Sequence, residues 1–380
     1  MLFSQVKGQE QLKQKIKSLI DGNRFPHAIL FDGKDGYGTL AVALATAQYL
    51  SCTDRQEGID ACNKCMSCKK YSKLIHPDLH LIFPTTTTKR IDKNNESSLF
   101  IAEFRDFVQK YNGYPSLEDW YIEIGSENKQ GVINVRDADK IISTLTLKSY
   151  ESPYKIMVIW NADKMNTEAA NKLLKIIEEP YEKTFFILTT QHKDMILPTI
   201  LSRVQTIIVP PLDNETMYAT IKEYDSNLSE QEINIKIALC EGDYNRIRQI
   251  DSDVEAEKVA NFVEINRLAM MYKKSAKDIS DFVDVFSKTT RNQQKDFLDY
   301  FLVTIEKIWR YNNGVQLPCH PLEQMGDKFK TNYPKFITKN NIEPIVKVIE
   351  QAQNNIDHNA NAKINFFDMI LKLGYQLEKR

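Results

Sequence analysis

Short apolar runs alternate with amphipathic stretches along the first 209 residues of the chain. The runs with the length of buried strands span 28–31, 79–83, 156–160, 185–188 and 205–209. The stretches with apolar residues at helical spacing between them span 9–20, 40–50 and 167–177. Alternating strands and helices predict a parallel sheet that is covered by helices on both faces.

The pattern becomes wholly helical after Pro210-Pro211, which we interpret as a domain boundary. The pattern at 210–255 predicts a small helical lid domain. Ser229 and Glu232 have the spacing of a capping box at the start of its second helix. Residues 256–380 are helical throughout, which is typical of packing or oligomerisation modules. The predicted fold class is therefore an α/β domain at 1–209, followed by two all-α domains.

Residues 84–130 interrupt the alternation with polar, Thr- and Asn-rich sequence. One helix is predicted inside this insertion, at 100–111. We assign the insertion no role and expect a surface excursion.

The first strand leads into a loop that has the spacing of a phosphate-binding loop but not its reactive side chains. In the template G-x-x-x-x-G-K-[ST], Gly33 and Gly38 occupy the glycine positions. Thr39 stands at the lysine position and Leu40 at the position of the magnesium-ligating hydroxyl. The backbone amides from Gly36 onward still favour an anion, together with the following helix dipole. We therefore predict weak or no nucleotide binding at Gly33, Gly36, Gly38 and Thr39, and no productive binding of ATP and Mg²⁺.

A second set of catalytic groups is missing after the strand at 156–160. Active ATPases of this type carry a magnesium-binding acid there and a glutamate that polarises water. This chain has Asn161 and Ala162 instead. Asp163 could replace the acid through a register shift of two residues, but it would then lie past the strand end. Together with Thr39 and Leu40, these changes indicate that the chain has no ATPase activity of its own.

Four cysteines lie within 17 residues in the pattern C-x9-C-x2-C-x2-C. They are Cys52, Cys62, Cys65 and Cys68. Four thiolates at this spacing suit structural zinc in tetrahedral coordination. A reducing compartment disfavours disulfides, and an iron–sulfur cluster remains an alternative. Cys240 and Cys319 are isolated, and we interpret them as ordinary thiols.

Net charge and hydropathy restrict the choice of partners. The formal net charge is −1 and the pI is about 6.6, which argues against a uniformly basic nucleic-acid-binding protein. The N-terminus lacks the apolar core of a signal peptide, and the apolar runs are too short to span a bilayer. We expect a cytoplasmic protein without a membrane partner.

Several stretches together resemble the bacterial clamp-loader branch of the AAA+ proteins, most closely its delta-prime type. They are Val6–Gln9, Arg24–Phe31, His76–Asp78, Ala170–Lys175, Glu178–Pro180 and Leu197–Arg203. The last resembles the family's Ser-Arg-Cys signature, with Val204 in place of the cysteine. The resemblance covers residues 3–209 well and the remainder in architecture only.

The resemblance implies a subunit of the DNA polymerase III clamp loader. Its implied partners are gamma/tau-type ATPases and delta in a hetero-pentamer, and the complex places a sliding clamp on primer-template DNA. The departures at Thr39 and Asn161 favour the non-hydrolysing subunit. The helical tail at 256–380 would form its collar.

The resemblance also implies that Arg203 is an arginine finger, which reaches ATP on a neighbouring subunit. From the residues alone, Arg203 could instead cap its own helix or pair with a surface acid. Two other functions stay open for the whole chain: an ATP-hydrolysing motor subunit, and a zinc-dependent DNA-binding module on an inert AAA+ fold.

Overall fold

The computed structural model describes residues 1–91, 93–126, 130–249, 252–315, 322, 325–358 and 360–379. The chain divides into two compact units, Met1–Gln249 and Ile250–Arg380. The finer division into three domains stays a prediction. Cys319 lies outside the described residues.

The described part of the first unit contains a five-stranded sheet in which all neighbouring strands are parallel. The order across the sheet is β2-β3-β4-β1-β5. The predicted parallel sheet is confirmed. The strands are β1 (Ala28–Asp32), β2 (Leu79–Ile82), β3 (Lys155–Ile159), β4 (Thr184–Thr190) and β5 (Gln205–Ile208).

Helices cover both faces of this sheet, as its alternating side chains require. Ile29 and Phe31 of β1 join one apolar cluster, whereas Ala28 and Leu30 join another on the opposite face. The helices of the first face are α1 (Glu10–Asp21), α2 (Thr39–Ser51), α3 (Met66–Ser72), α4 (Ile101–Lys110) and α5 (Leu117–Glu123). Those of the second are α6 (Val135–Thr146), α7 (Thr167–Glu178) and α8 (Pro198–Leu201).

The insertion at 84–130 is not a surface excursion, so that expectation is wrong. The side chains of Phe104, Phe107 and Trp120 are at most 1% exposed and belong to the core beside the sheet. The ring of Phe104 stacks on Phe83, with ring centroids 3.8 Å apart. The Trp120 indole N–H donates to the carbonyl of Pro84 at 2.8 Å. A few aromatic residues therefore anchor a segment whose average composition is polar.

The sequence analysis predicted one helix inside the insertion at 84–130, and the described residues there contain two α-helices, α4 and α5, while α6 follows in a stretch to which no element was assigned. Helices α5 and α6 were missed. Each has a local start signal, because Ser116 accepts a hydrogen bond from the amide of Asp119, and Asn134 forms a capping box with Asp137. The polar composition around them concealed these caps.

The last three helices of the first unit form the lid, residues 210–249. They are α9 (Asn214–Tyr224), α10 (Glu230–Cys240) and α11 (Tyr244–Gln249). The predicted capping box at the start of α10 is confirmed: the Ser229 amide donates to the Glu232 carboxylate at 2.8 Å, and the Glu232 amide donates to the Ser229 hydroxyl at 3.3 Å.

The described residues of the second unit are helical and enclose an apolar core of their own. Its helices are α12 (Ser252–Met270), α13 (Ala276–Phe286), α14 (Arg291–Asn312), α15 (Asp327–Asn332), α16 (Ile342–Asp357) and α17 (Ala362–Glu378). The helical pattern predicted for this region is confirmed. Among the described residues of the whole chain, no helix combines the length and apolarity needed to cross a bilayer.

Candidate functional site

The degenerate phosphate loop, residues 33–40, connects β1 to α2 and uses part of its backbone internally. Asp35 to Tyr37 form a single 3₁₀ turn, and Gly38 has a φ of 91°, which favours glycine. The Tyr37 amide donates to the carbonyl of Lys34 at 2.9 Å, and the Gly38 amide donates to that of Asp35 at 3.0 Å. Two amides that a phosphate-binding loop would offer to an anion are therefore occupied within the loop.

The side chains at the two replaced positions are buried. Thr39 is 1% exposed and Leu40 is 2% exposed, so both belong to the interior of the domain. The nearby Lys34 is exposed, and its ammonium lies 5.9 Å from the centre of the Tyr37 ring. Lys34 is thus an exposed residue inside the loop, whereas the lysine position of the template is held by the buried Thr39.

A buried carboxyl group, that of Asp35, lies inside the loop. It accepts hydrogen bonds from the Leu117 amide at 3.2 Å and from the Gln191 side-chain amide at 2.6 Å. Burial raises the pKa of Asp35 to about 8, and the nearby Asp163 adds to this increase. At neutral pH the interior of the loop therefore holds a largely protonated acid.

The carboxyl end of β3 carries no magnesium-binding acid in the expected position. Asn161 adopts a left-handed conformation and is 1% exposed, and its backbone amide donates to the Thr189 hydroxyl at 3.1 Å. The Asp163 carboxylate is also buried, and it accepts a hydrogen bond from the Thr190 hydroxyl at 2.8 Å. The Asn161 backbone amide and the Asp163 carboxylate therefore join the end of β3 to the end of β4.

Arg203 lies between α8 and β5 and is engaged within its own chain. Its guanidinium forms a two-pronged ion pair with Glu178, with N–O distances of 2.8 and 2.7 Å. It also donates to the Thr199 carbonyl at 2.9 Å. Its side chain is 30% exposed. The chain thus has both contacts that the sequence analysis weighed as alternatives to a finger, namely a helix cap and a surface acid.

The strand direction separates Arg203 from the phosphate loop. The loop follows the carboxyl end of β1, whereas Arg203 precedes the amino end of β5. Because β1 and β5 are parallel neighbours, these two ends lie at opposite edges of the sheet. Arg203 is therefore not placed to act on the loop of its own chain.

The four clustered cysteines come from three pieces of local structure. Cys52 ends α2, Cys62 lies in the following loop, and Cys65 and Cys68 belong to the start of α3. Cys65 caps α3, since its sulfur accepts from the Cys68 amide at 3.4 Å. A further bond joins the Ser67 hydroxyl to the Ser51 carbonyl at 2.9 Å and fixes α3 against the end of α2.

The sulfur atoms of this cluster converge. All four Sγ atoms lie within 4.8 Å of one another, and those of Cys62 and Cys68 are 4.0 Å apart. Backbone amides donate to two more of the sulfurs, from Cys62 to Cys52 at 3.3 Å and from Cys65 to Cys62 at 3.3 Å. Amide donors stabilise thiolates, so the donor set fits a metal ion held by four thiolates.

The comparison with known families identifies the sheet-containing part of the chain. A family model described as "DNA polymerase III, delta subunit" matches residues 8–213, more than half of the chain. The chain belongs to this family. The match confirms the clamp-loader resemblance that the sequence analysis drew.

Curated relatives narrow the type of subunit. The delta-prime subunit of DNA polymerase III from Bacillus subtilis is 29% identical over 217 residues, 57% of this chain and 52% of the relative. The delta-prime subunit of Buchnera aphidicola is 24% identical over 211 residues, 55% of this chain and 51% of the relative. The chain spans about half the length of these relatives, and over that span its sequence is similar to delta-prime-type subunits.

Further comparisons include a tau subunit and solved structures. The tau subunit of B. subtilis DNA polymerase III is 27% identical over 203 residues, 53% of this chain and 28% of the relative. A gamma-subunit-related protein of Thermotoga maritima has 15% identity and a TM-score of 0.38, with 96% of this chain and 99% of the other covered. The B. subtilis clamp-loader delta protein has 10% identity and a TM-score of 0.36, with 97% and 100% covered. Neither structural likeness is strong enough to inform function.

Proposed function

We propose that this chain is the non-hydrolysing, delta-prime-type subunit of a DNA polymerase III clamp loader, and that Arg203 acts on ATP bound by a neighbouring subunit. Its partners would be gamma/tau-type ATPases and delta in a hetero-pentamer that places a sliding clamp on primer-template DNA. The observation that carries this proposal is the position of Arg203, at the sheet edge opposite its own degenerate loop.

A guanidinium at this position has a clear chemical use in trans. Phosphoryl transfer spreads negative charge over the γ-phosphate oxygens, and an arginine finger that stabilises this charge is worth about 10³–10⁵ in rate. The pair with Glu178 is solvent-accessible on both sides, and such surface pairs contribute only about 0–1 kcal/mol. The phosphate of a neighbouring subunit could therefore displace Glu178 at small cost.

The chain's own pocket argues against the motor-subunit alternative. Thr39 and Leu40 are buried and uncharged, and Asn161 and Ala162 replace the acids at the end of β3. The strand order of the sheet and the following lid helices support the AAA+ assignment. An AAA+ domain without these groups fits a scaffold that completes a neighbour's site.

We also propose that the cysteine cluster holds one structural zinc ion. Zinc–sulfur bonds of about 2.3 Å place tetrahedral sulfurs about 3.8 Å apart, and the sulfurs here are within 4.8 Å of one another. An iron–sulfur cluster distributes its thiolates over several irons, which suits this compact set less well. Four protein ligands leave no open position on zinc, so the ion would stabilise the fold and take no part in catalysis.

The finger is tested in the reconstituted clamp loader. We expect Arg203→Ala to leave assembly intact and to reduce the ATPase that clamp and primed DNA stimulate by at least about tenfold. Arg136→Ala is the matched control, because Arg136 is an exposed arginine of the same unit, on α6. Equal ATPase rates for the two variants would contradict the proposal.

The two alternatives have signatures of their own in the purified chain. Turnover of MgATP by the chain alone would favour the motor subunit. Binding of DNA by the chain alone, with an affinity that falls steeply as salt increases, would favour the zinc-dependent DNA-binding module. We expect neither result.

A further inference from the structure

Tyr114, from the insertion, lies directly on the phosphate loop. A Cβ built on Gly38 would be 2.8 Å from the edge of the Tyr114 ring, so ring and backbone are in close contact. The Tyr114 hydroxyl accepts a hydrogen bond from the Lys7 amide at 2.8 Å. Its ring also contacts Tyr244 of the lid, with centroids 4.5 Å apart. One buried side chain thus connects the N-terminal segment, the loop and the lid.

A lid carboxylate lies on the same loop. A Cβ built on Gly36 would collide with the carboxylate of Asp243, which therefore approaches the bare backbone as closely as a ligand would. The position of Asp243 is fixed locally, since its carboxylate accepts from the Asn245 amide at 2.8 Å and caps α11.

An arginine of the lid also contacts the insertion. The guanidinium of Arg248 lies 4.4 Å from the centre of the Tyr111 ring and donates to the side chain of Asn245 at 2.8 Å. The positive charge of Arg248 on α11 is therefore directed at the insertion.

Glycines in a phosphate-binding loop leave room for the phosphates to approach the backbone. In this chain, an aromatic ring and a carboxylate of the protein itself approach Gly38 and Gly36. The ring excludes water and ligand from the loop, and the carboxylate would repel a phosphate at close range. The insertion and the lid meet at the point where a bound nucleotide would otherwise join the loop to the lid.

We propose that Tyr114 and Asp243 form an internal plug that occupies the phosphate loop and holds the lid against the sheet domain without any nucleotide. The plug goes beyond the proposed function, because it holds whether or not Arg203 acts on a neighbour. It makes the arrangement of lid and sheet independent of the nucleotide state, and it means that the lost lysine is not the sole barrier to nucleotide binding.

The first test restores the missing side chains of the phosphate loop in the full chain, once with the plug and once without it. The probe is MgATP that carries a fluorescent methylanthraniloyl group. We expect no binding by wild type or by the restored-loop variant Thr39→Lys/Leu40→Thr. Adding Tyr114→Ala and Asp243→Asn to that variant should produce saturable binding. The asparagine keeps an oxygen that caps α11 while it removes the charge. Binding by the restored loop alone, or no binding by the folded four-site variant, would overturn the plug.

The second test measures the lid directly and does not depend on nucleotide. Amide hydrogen exchange in residues 214–249 should accelerate by at least about tenfold in Tyr114→Ala, while β1 stays protected. Tyr114→Phe keeps the ring and should lie between this variant and wild type. The matched control is Tyr121→Ala, which removes a tyrosine of the same insertion whose hydroxyl bonds to Gly131. If both alanine variants leave lid exchange at the wild-type rate, Tyr114 does not hold the lid.

Discussion

The cysteine cluster and the phosphate loop both have the local structure of a site for a small charged ligand. They differ in how many of their ligand-binding groups are present. The cluster has four converging sulfurs, and backbone amides donate to those of Cys52, Cys62 and Cys65. In the loop, two amides are already bonded internally, and the lysine and hydroxyl positions of the template hold the buried residues Thr39 and Leu40. The glycines Gly38 and Gly36 are covered by Tyr114 and Asp243.

The difference follows from what each ligand would do. A structural metal contributes to folding, because the sulfurs on their own are poor partners for one another and the ion supplies the binding free energy. A hydrolysable nucleotide is released in every cycle, so the fold cannot depend on it. A chain that has lost hydrolysis can therefore fill the nucleotide site with its own side chains, but it cannot fill the metal site without rebuilding the module.

The largest effect is expected from the metal site. Cys62→Ser should abolish metal binding and lower the free energy of unfolding of the first unit by on the order of 5 kcal/mol or more. The zinc content of the purified chain and its melting temperature measure the two quantities. Cys240→Ala is the control, because it removes a thiol of the lid that lies outside the cluster. If the wild-type chain contained no zinc and were as stable without it, the cluster would not be a metal site and would no longer differ from the phosphate loop.

A large effect is also expected from the insertion at 84–130, which contributes Trp120 to the core. Trp120→Ala should lower the free energy of unfolding by about 3–5 kcal/mol, since it leaves a cavity among Phe83, Phe104 and Phe107. Urea unfolding of the first unit, followed by circular dichroism, measures this change. Tyr150→Ala should change little, because Tyr150 is 82% exposed. Equal stabilities of the two variants would mean that the insertion does not support the core.

A smaller effect, dependent on pH, is expected from Asp35. Its folded pKa of about 8 lies above the ordinary value of 3.8, so the folded state binds the proton more tightly than the unfolded state. The stability that this proton contributes is complete below about pH 4 and is lost as pH rises towards 8. Asp35→Asn keeps the shape of the side chain and cannot ionise. We expect the variant to exceed wild type in stability at pH 9 by on the order of 1 kcal/mol or more.

Urea unfolding of both proteins at pH 5, 7 and 9 provides the measurement. The difference between variant and wild type isolates Asp35, because other titrating groups are common to both. A difference that is constant with pH would show that Asp35 is ionised in the folded chain, and the interior of the loop would then be charged.

The smallest effect is expected from Lys34. Lys34→Ala should change the free energy of unfolding by less than about 0.5 kcal/mol and should leave the ATPase of the complex unchanged, because Lys34 is exposed and its ammonium lies 5.9 Å from the centre of the Tyr37 ring. Thermal unfolding and the stimulated ATPase assay measure both. A marked loss of nucleotide-dependent activity would make Lys34 the replacement for the missing lysine and would reopen the phosphate loop as a binding site.

Much of the fold could be predicted from local sequence patterns. The apolar run at 28–31 predicted the strand found at Ala28–Asp32, and the helical spacing at 40–50 predicted the helix found at Thr39–Ser51. The capping pair Ser229 and Glu232 predicted the start of α10. The insertion was misread because its burial depends on a few aromatic side chains in a polar segment. Average composition describes the solvent-facing majority of such a segment and not the minority that packs.

The amino-acid order alone specified which chemical groups are missing from the loop and which four sulfurs are close enough along the chain to share an ion. These are statements about identity and short spacing, and they need no fold. Tertiary structure decided which side chains cover the glycines of the loop. Tyr114 lies 76 residues along the chain from Gly38, and Asp243 lies 207 residues from Gly36. Contacts at such separations depend on how the insertion and the lid close over the sheet. No periodicity or motif encodes them, because the free energy that selects them comes from packing the whole unit.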